Sequence, residues 1–229
     1  WQGIFGVYHI PAWIGIPFTV VLIVALINSF NLIDGVDGLC AGLSMISLAL
    51  LSGLCIHTGS IYLALLGICA LGVLAVFFFY NVFGRRMKIF MGDSGSLLLG
   101  YLIAFMALEV VVNMQQHTTP DYVTLVSILG IVFVPLADMS RVFIQRLLHR
   151  VSPFKPDKRH IHHKLLQLGL SHVQCTLLLM LIQVIFAIAN FWMAPRVNIT
   201  LALIINFIAI ALLIVFLNWR IARRELRWL

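Results

Sequence analysis

Seven runs of predominantly apolar residues, at 13–30, 38–56, 61–80, 94–112, 122–138, 173–194 and 197–219, leave this chain few ways to fold. A helix needs about 20 such residues to cross a hydrocarbon core of about 30 Å, and each run meets or approaches that length. The chain is 62% hydrophobic and 10% charged, with a mean hydropathy of +1.07, so it has too little polar side chain to clothe a water-facing surface. None of the runs alternates polar with apolar residues as a membrane β-strand would. In lipid the remaining way to satisfy the backbone is the helix, so the expected fold is all-α, a polytopic transmembrane bundle forming a single integral-membrane domain over 1–229.

A net charge of +7 invites a nucleic-acid reading, but the distribution of the basic residues answers differently. Arg85, Arg86 and Lys88 occupy the third connection. Arg141, Arg146, Arg150, Lys155, Lys158, Arg159 and Lys164 lie at the fifth, and Arg220, Arg223, Arg224 and Arg227 at the end of the chain. These are fourteen of the fifteen basic residues, and all three regions share one side if the seven runs cross in alternation. Only Arg196 falls opposite. The positive-inside rule makes the basic side cytoplasmic, which excludes nucleic acid as the expected partner and places the first connection on the nucleotide-rich face. The expected location is a membrane, with the basic face toward the cytoplasm.

Cys40, Cys55, Cys69 and Cys175 sit in or near apolar runs without a CxxC spacing, which argues against a disulfide scaffold or a zinc ribbon and for packing. The chain starts at Trp1, and its first run lacks the basic segment and cleavage site of a signal peptide. The expectation is therefore a portion of something longer.

Three polar clusters share the basic side. The first, "NSFNLIDGVDG", sets Asp34 and Asp37 among glycines. An ordinary turn would use the same residues, but Asn28 and Asn31 lie one helical turn apart and direct two amides to one face near the acids. Amides in a membrane helix need bonding partners, which a nucleotide or a phosphate-bound metal would supply. The second, "FMGDSGS", allows Asp93 to be a simple N-terminal cap. The same geometry lets backbone amides near Gly92 and Gly95 approach phosphate while the carboxylate holds Mg²⁺. A serine-protease reading of "GDSG" fails because an apolar helix follows and nothing supplies an oxyanion hole.

The third, "PDKRHIHH", places His160, His162 and His163 beside Lys158 and Arg159. It suits the grip and charge neutralisation of a diphosphate. A solvated basic loop over anionic headgroups competes with that reading; zinc lacks a fourth ligand at a recognisable spacing. Asp138 and Arg141, three apart, read as an anchoring ion pair, and aromatics such as those of "VFFFYN" read as lipid-facing or packing residues.

In this order, "NSFNLIDGVDGL", "FMGDSGSLLLG" and "PDKRHIHHKLLQLG" resemble the polyprenyl-phosphate N-acetylhexosamine-1-phosphate transferases, glycosyltransferase family 4, and within it the bacterial WecA/TagO-like branch. The likeness covers essentially the whole chain. It implies transfer of N-acetylglucosamine-1-phosphate from UDP-N-acetylglucosamine to undecaprenyl phosphate at a membrane surface, with release of UMP. The implied cofactor is Mg²⁺, with Mn²⁺ as its substitute, and a homodimer is compatible with the family. By resemblance, Asp93 is the metal ligand, Asp34, Asp37, His162 and His163 join it as catalytic residues, and Phe90 stacks on uracil. Asn28, Asn31, Asn81, Arg159 and His160 line the substrate site, while Arg85, Arg86 and Lys88 are available to the acceptor phosphate.

One departure stands out: the family carries an adjacent Asp-Asp pair upstream, and this chain has none. The expectation is that this stretch alone is inactive. Ile161, interrupting the histidines, favours N-acetylglucosamine over the phospho-MurNAc-pentapeptide translocase reaction. Outside transferases, an ion-coupled transporter would spread its acids through the membrane depth, and a non-catalytic scaffold would need none of them.

Overall fold

The computed structural model describes residues 4–7, 9–84, 87–114, 121–150, 152 and 159–225. Among the described residues the chain forms eight helices: α1 (Ala12–Leu32), α2 (Leu39–His57), α3 (Ile61–Phe83), α4 (Gly92–Met114), α5 (Asp121–Leu148), α6 (Ile161–Gln167), α7 (His172–Met193) and α8 (Ile199–Glu225). All but α6 are long and apolar enough to cross a membrane, so the polytopic all-α expectation holds and the chain is a multi-pass membrane protein.

α2 and α5 form the centre of the bundle, with 61% and 67% of their apolar windows buried, against 17% for α1 and α3 and 22% for α8. Lipid tails are as apolar as leucine, so helices in a bilayer associate through close packing and internal hydrogen bonds. The buried face of α2 accordingly carries small residues, Ala41, Gly42, Ser44, Ser47 and Ser52, between Leu43, Leu48 and Leu51. α1 meets α4 at Gly100, where a Cβ would lie 2.8 Å from the Ile27 backbone. That approach brings the end of α1 to the start of α4.

α5 contains Pro135, whose ring nitrogen cannot donate to the carbonyl of Ile131 four residues back. Two other helices replace the missing donor: Ser47 Oγ of α2 donates at 3.1 Å, and Gln183 Nε2 of α7 donates to the same carbonyl. Gln183 also accepts from Val134 N at 3.3 Å. A buried glutamine that would be costly in lipid thus bonds α7 to α5. Farther along α7, Asn190 and Asn206 of α8 exchange amide hydrogen bonds at 2.8 and 2.9 Å.

Five of the runs match their helices to within a few residues; α8 ends six residues past the predicted Trp219, and the largest departure is α5. It continues ten residues past the predicted end at Asp138. The carboxylate stops the apolar pattern but not the helix, because Arg141 Nη2 at 2.9 Å and His160 Nδ1 at 2.9 Å hold it. α6 was not predicted. Its seven residues are too few for a periodic signal. Cys40, Cys55 and Cys175 are free and buried as packing residues, whereas Cys69 is exposed on α3. In "VFFFYN", Val76, Phe79 and Tyr80 are exposed on the outer face of the bundle.

Candidate active site

Reversing direction at each connection brings the ends of α1, α3, α5 and α8 together with the starts of α2, α4 and α7. The three polar clusters meet there.

The acids come from two elements. Asp34 and Asp37 lie in the turn between α1 and α2, and Asp93 stands in the first turn of α4. Asn31 joins them, donating through Nδ2 to Asp93 Oδ1 at 3.3 Å and to Ser96 Oγ at 2.9 Å. Ser96 in turn donates to the carbonyls of Gly92 and Asp93 at 3.2 Å. Desolvation, then the like charges of Asp93 and Asp37, push the Asp34 carboxyl above its usual value. The three acids are therefore within electrostatic reach of one another, an arrangement that favours a cation nearby.

Asp37 is the exception within the trio. Desolvation would raise it, but hydrogen bonds and charge from Lys88 at 2.7 Å and His172 at 2.8 Å outweigh that and hold it below the usual carboxylate range. Thr176 Oγ1 donates to its backbone carbonyl at 2.7 Å, so this turn is tied to α7 at two points. Lys88, expected to serve an acceptor phosphate, is engaged here; Arg85, Arg86 and Lys158 lie outside the described residues. His172 was not anticipated. A capping box of Ser171 and Gln174 sets the start of α7 and puts His172 in its first turn, so the S-x-x-Q pattern could have located it.

His160 is buried, bonded through Nδ1 to Asp138 Oδ2, while Asp138 Oδ1 accepts from Ile161 N at 3.1 Å and from Arg141. Arg141 also donates to the carbonyl of Arg159, whose side chain is exposed. The predicted ion pair of Asp138 with Arg141 is present, and it also fixes the start of α6. From there His162 reaches back to the first turn. A Cβ on Gly35 would lie 2.5 Å from His162 Nε2. The ring is 1% exposed, and its neighbour His163 lies 4.3 Å away between ring centroids.

Burial, reinforced by the charge of His163, pushes the His162 imidazole down to about 4. At His162 this favours a neutral ring near neutral pH, which weighs against the charge-neutralising role expected of it. His160 likewise spends one ring nitrogen on α5 rather than on the cleft.

Asn81 and Asn28 use their amides internally. Asn81 accepts from Gly38 N and donates to Ile89 O at 2.7 Å, clamping the start of α2 to the strand of chain before α4. Asn28 donates to Val24 O of its own helix at 2.8 Å, so of the two α1 amides only Asn31 reaches the acids. Phe90 is 75% exposed, with the Lys88 ammonium 5.5 Å from its ring centre; such a ring offers a face to a planar base.

Among the described residues no three His, Cys, Asp or Glu side chains converge on a metal position. Mg²⁺ seldom uses such a cage, binding instead through one or two carboxylates, waters and substrate phosphates. Asp93 and Asp34 fit that donor set.

Residues 2–111 match the model of the family described as Glycosyl transferase family 4. The chain is 38% identical over 199 residues to the probable undecaprenyl-phosphate N-acetylglucosaminyl 1-phosphate transferase of Bacillus subtilis (strain 168), an overlap of 86% of this chain and 53% of that protein. It is 33% identical over 189 residues to the undecaprenyl-phosphate alpha-N-acetylglucosaminyl 1-phosphate transferase of Escherichia coli (strain K12), and 32% identical over 189 residues to that of Yersinia pestis. These overlaps take in 82% of this chain and 48% and 49% of the two proteins. The chain spans about half the length of the curated relatives it matches. Residues 2–111 thus match glycosyl transferase family 4, and most of the chain is similar to undecaprenyl-phosphate N-acetylglucosaminyl 1-phosphate transferases.

Proposed function

We propose that this chain carries the donor site of a membrane transferase that moves N-acetylglucosamine-1-phosphate from UDP-N-acetylglucosamine to undecaprenyl phosphate, releasing UMP at the cytoplasmic face. The observation that carries the reading is the convergence of Asp34 and Asp93 from two elements, with Asn31 bonded to Asp93 and His162 docked on Gly35. The names of its relatives, undecaprenyl-phosphate N-acetylglucosaminyl 1-phosphate transferases, support this choice of transferred group and acceptor.

In that reaction an oxygen of the acceptor phosphate bonds to the phosphorus carrying the sugar, and the bond from that phosphorus to the bridging oxygen breaks, so that UMP leaves. Phosphoryl transfer needs mainly positioning and charge neutralisation. Asp93, with Asp34 beside it, would hold Mg²⁺ against the diphosphate, and the ion would supply neutralisation of its charge. Asn31 fixes the Asp93 carboxylate, leaving its other oxygen for the ion. Phe90 would stack on the uracil ring, with Lys88 over one side of it. Asp37, paired to Lys88 and His172, keeps the turn in place rather than meeting the metal. His162 presents a neutral imidazole at the turn, suited to hydrogen bonding; His163 and Arg159 are placed to meet the sugar or the diphosphate.

A panel of radiolabelled UDP-sugars incubated with undecaprenyl phosphate, Mg²⁺ and membranes containing the full-length protein tests this directly. Label from UDP-N-acetylglucosamine should enter the lipid phase. Transfer of phospho-MurNAc-pentapeptide instead would overturn the sugar assignment, and ion flux into sealed vesicles without transfer would replace the enzyme with a transporter.

A further inference from the structure

The last two turns of α8 and the α6–α7 turn enclose a groove of about 730 Å³ that shares no lining residue with the acidic cleft. Its floor is apolar, with Leu165, Leu170, Leu178 and Phe216, and its rim carries Arg220, Arg223 and Arg224. The arginines are held by rings and backbone. Arg223 lies 4.0 Å over the Trp219 ring, Arg220 lies 6.0 Å over Phe216, and Arg224 Nη1 donates to Gln167 O at 3.2 Å across the groove. Among the described residues no carboxylate forms an ion pair with any of the three.

Three guanidiniums over an apolar trough, none paired with a carboxylate among the described residues, select a ligand that is anionic at one end and hydrocarbon at the other. Position narrows the choice further. α8 is apolar up to Leu217, and Trp219 followed by arginines is the pattern of a helix leaving the hydrocarbon for the headgroups. Stacked arginines present their remaining N–H donors in a fixed fork that matches phosphate oxygens.

We propose that this groove binds an anionic glycerophospholipid, its phosphate on Arg220 and Arg223 and an acyl chain along Leu165, Leu178 and Phe216. Bound there, the lipid spans α6 and α8, two helices joined nearby by Lys164 Nζ donating to Asn218. The groove shares no lining residue with the acidic cleft, and its test reads lipid retention rather than transfer activity.

Native mass spectrometry of the purified protein in detergent, with phosphatidylglycerol or phosphatidylcholine added at equal concentration, reads the site. The expected result is about tenfold or more preferential retention of one phosphatidylglycerol. That preference should be lost in Arg220→Gln/Arg223→Gln, and also in Leu178→Trp, which fills the floor and leaves the charges in place. Arg196→Gln, at the other end of the bundle, should keep it. Equal retention of the two lipids, or a preference that survives both groove variants, overturns the proposal. Retention of undecaprenyl phosphate in the groove with phosphatidylglycerol excluded overturns it in favour of the reacting lipid.

Discussion

His162 Nε2 lies where a methyl group on Gly35 would be, 2.5 Å from the ideal Cβ position. The contact joins the histidine cluster to the acidic turn, although the two are more than a hundred residues apart in sequence, and it leaves no room for any other residue at position 35.

Gly35→Ala should therefore displace a buried ring that cannot swing into solvent. Overpacking of this kind costs about 1–3 kcal/mol, and the displaced turn should lower kcat for sugar-phosphate transfer by roughly tenfold or more, since misplacement by about 1 Å can cost a hundredfold. Gly53→Ala is the control. Its Cβ would meet nothing within 4 Å, so activity should be unchanged. Transfer kinetics on the two variants side by side check this.

Asp138 is 2% exposed and holds Arg141, His160 and the Ile161 amide at once. Asp138→Ala strands a buried guanidinium and unties the start of α6. A loss of about 3–5 kcal/mol is expected, measured as a fall in the Tm of the detergent-solubilised protein. Arg141→Ala should cost a comparable amount, and the double variant should cost less than the two losses added.

The depressed His162 value makes stability depend on pH. Held near 4 in the fold and near 6.5 when free, the imidazole takes up its proton first in the unfolded chain. Its contribution is complete above about pH 6.5 and is lost as pH falls from there toward 4, by up to about 3 kcal/mol. Asp37, held below the usual carboxylate value, loses its contribution only at lower pH. Thermal unfolding across pH 7.5 to 4.5 should thus show a decline that flattens in His162→Phe.

Gln183→Leu removes the α7 donor to the Ile131 carbonyl that Pro135 leaves open. The expected cost is about 1–2 kcal/mol. Adding Pro135→Ala restores the helical N–H and should recover part of that loss. A double variant no more stable than Gln183→Leu alone would show that the amide acts through something other than the open carbonyl.

The bundle was legible in the sequence because lipid imposes a length and an apolarity on every crossing helix, and the side of each polar cluster followed from the lysines and arginines. Asp34, Asp93 and Asn31 were legible as a group because turn glycines, a helix start and an intramembrane amide each carry a local signal. The extension of α5 was hidden because a buried charge ends an apolar pattern whether or not its partners neutralise it. Asn81 illustrates the opposite difficulty. An intramembrane asparagine looks the same in sequence whether it binds a ligand or, as here, bonds Gly38 and Ile89. The Asp37 pairing with His172 depends on which helix ends meet, which spacing along the chain does not encode.

If Asp93, positioned by Asn31, holds the divalent ion for sugar-phosphate transfer, the reaction must follow Mg²⁺ through that carboxylate. UMP release from UDP-N-acetylglucosamine can be titrated with Mg²⁺ in the full-length parent protein, Asn31→Ala and Asp93→Asn. Expected are Mg²⁺-dependent release in the parent, a raised Mg²⁺ requirement in Asn31→Ala, and a loss of roughly a hundredfold or more in Asp93→Asn. Release at the parent rate from folded Asp93→Asn would contradict this assignment of Asp93.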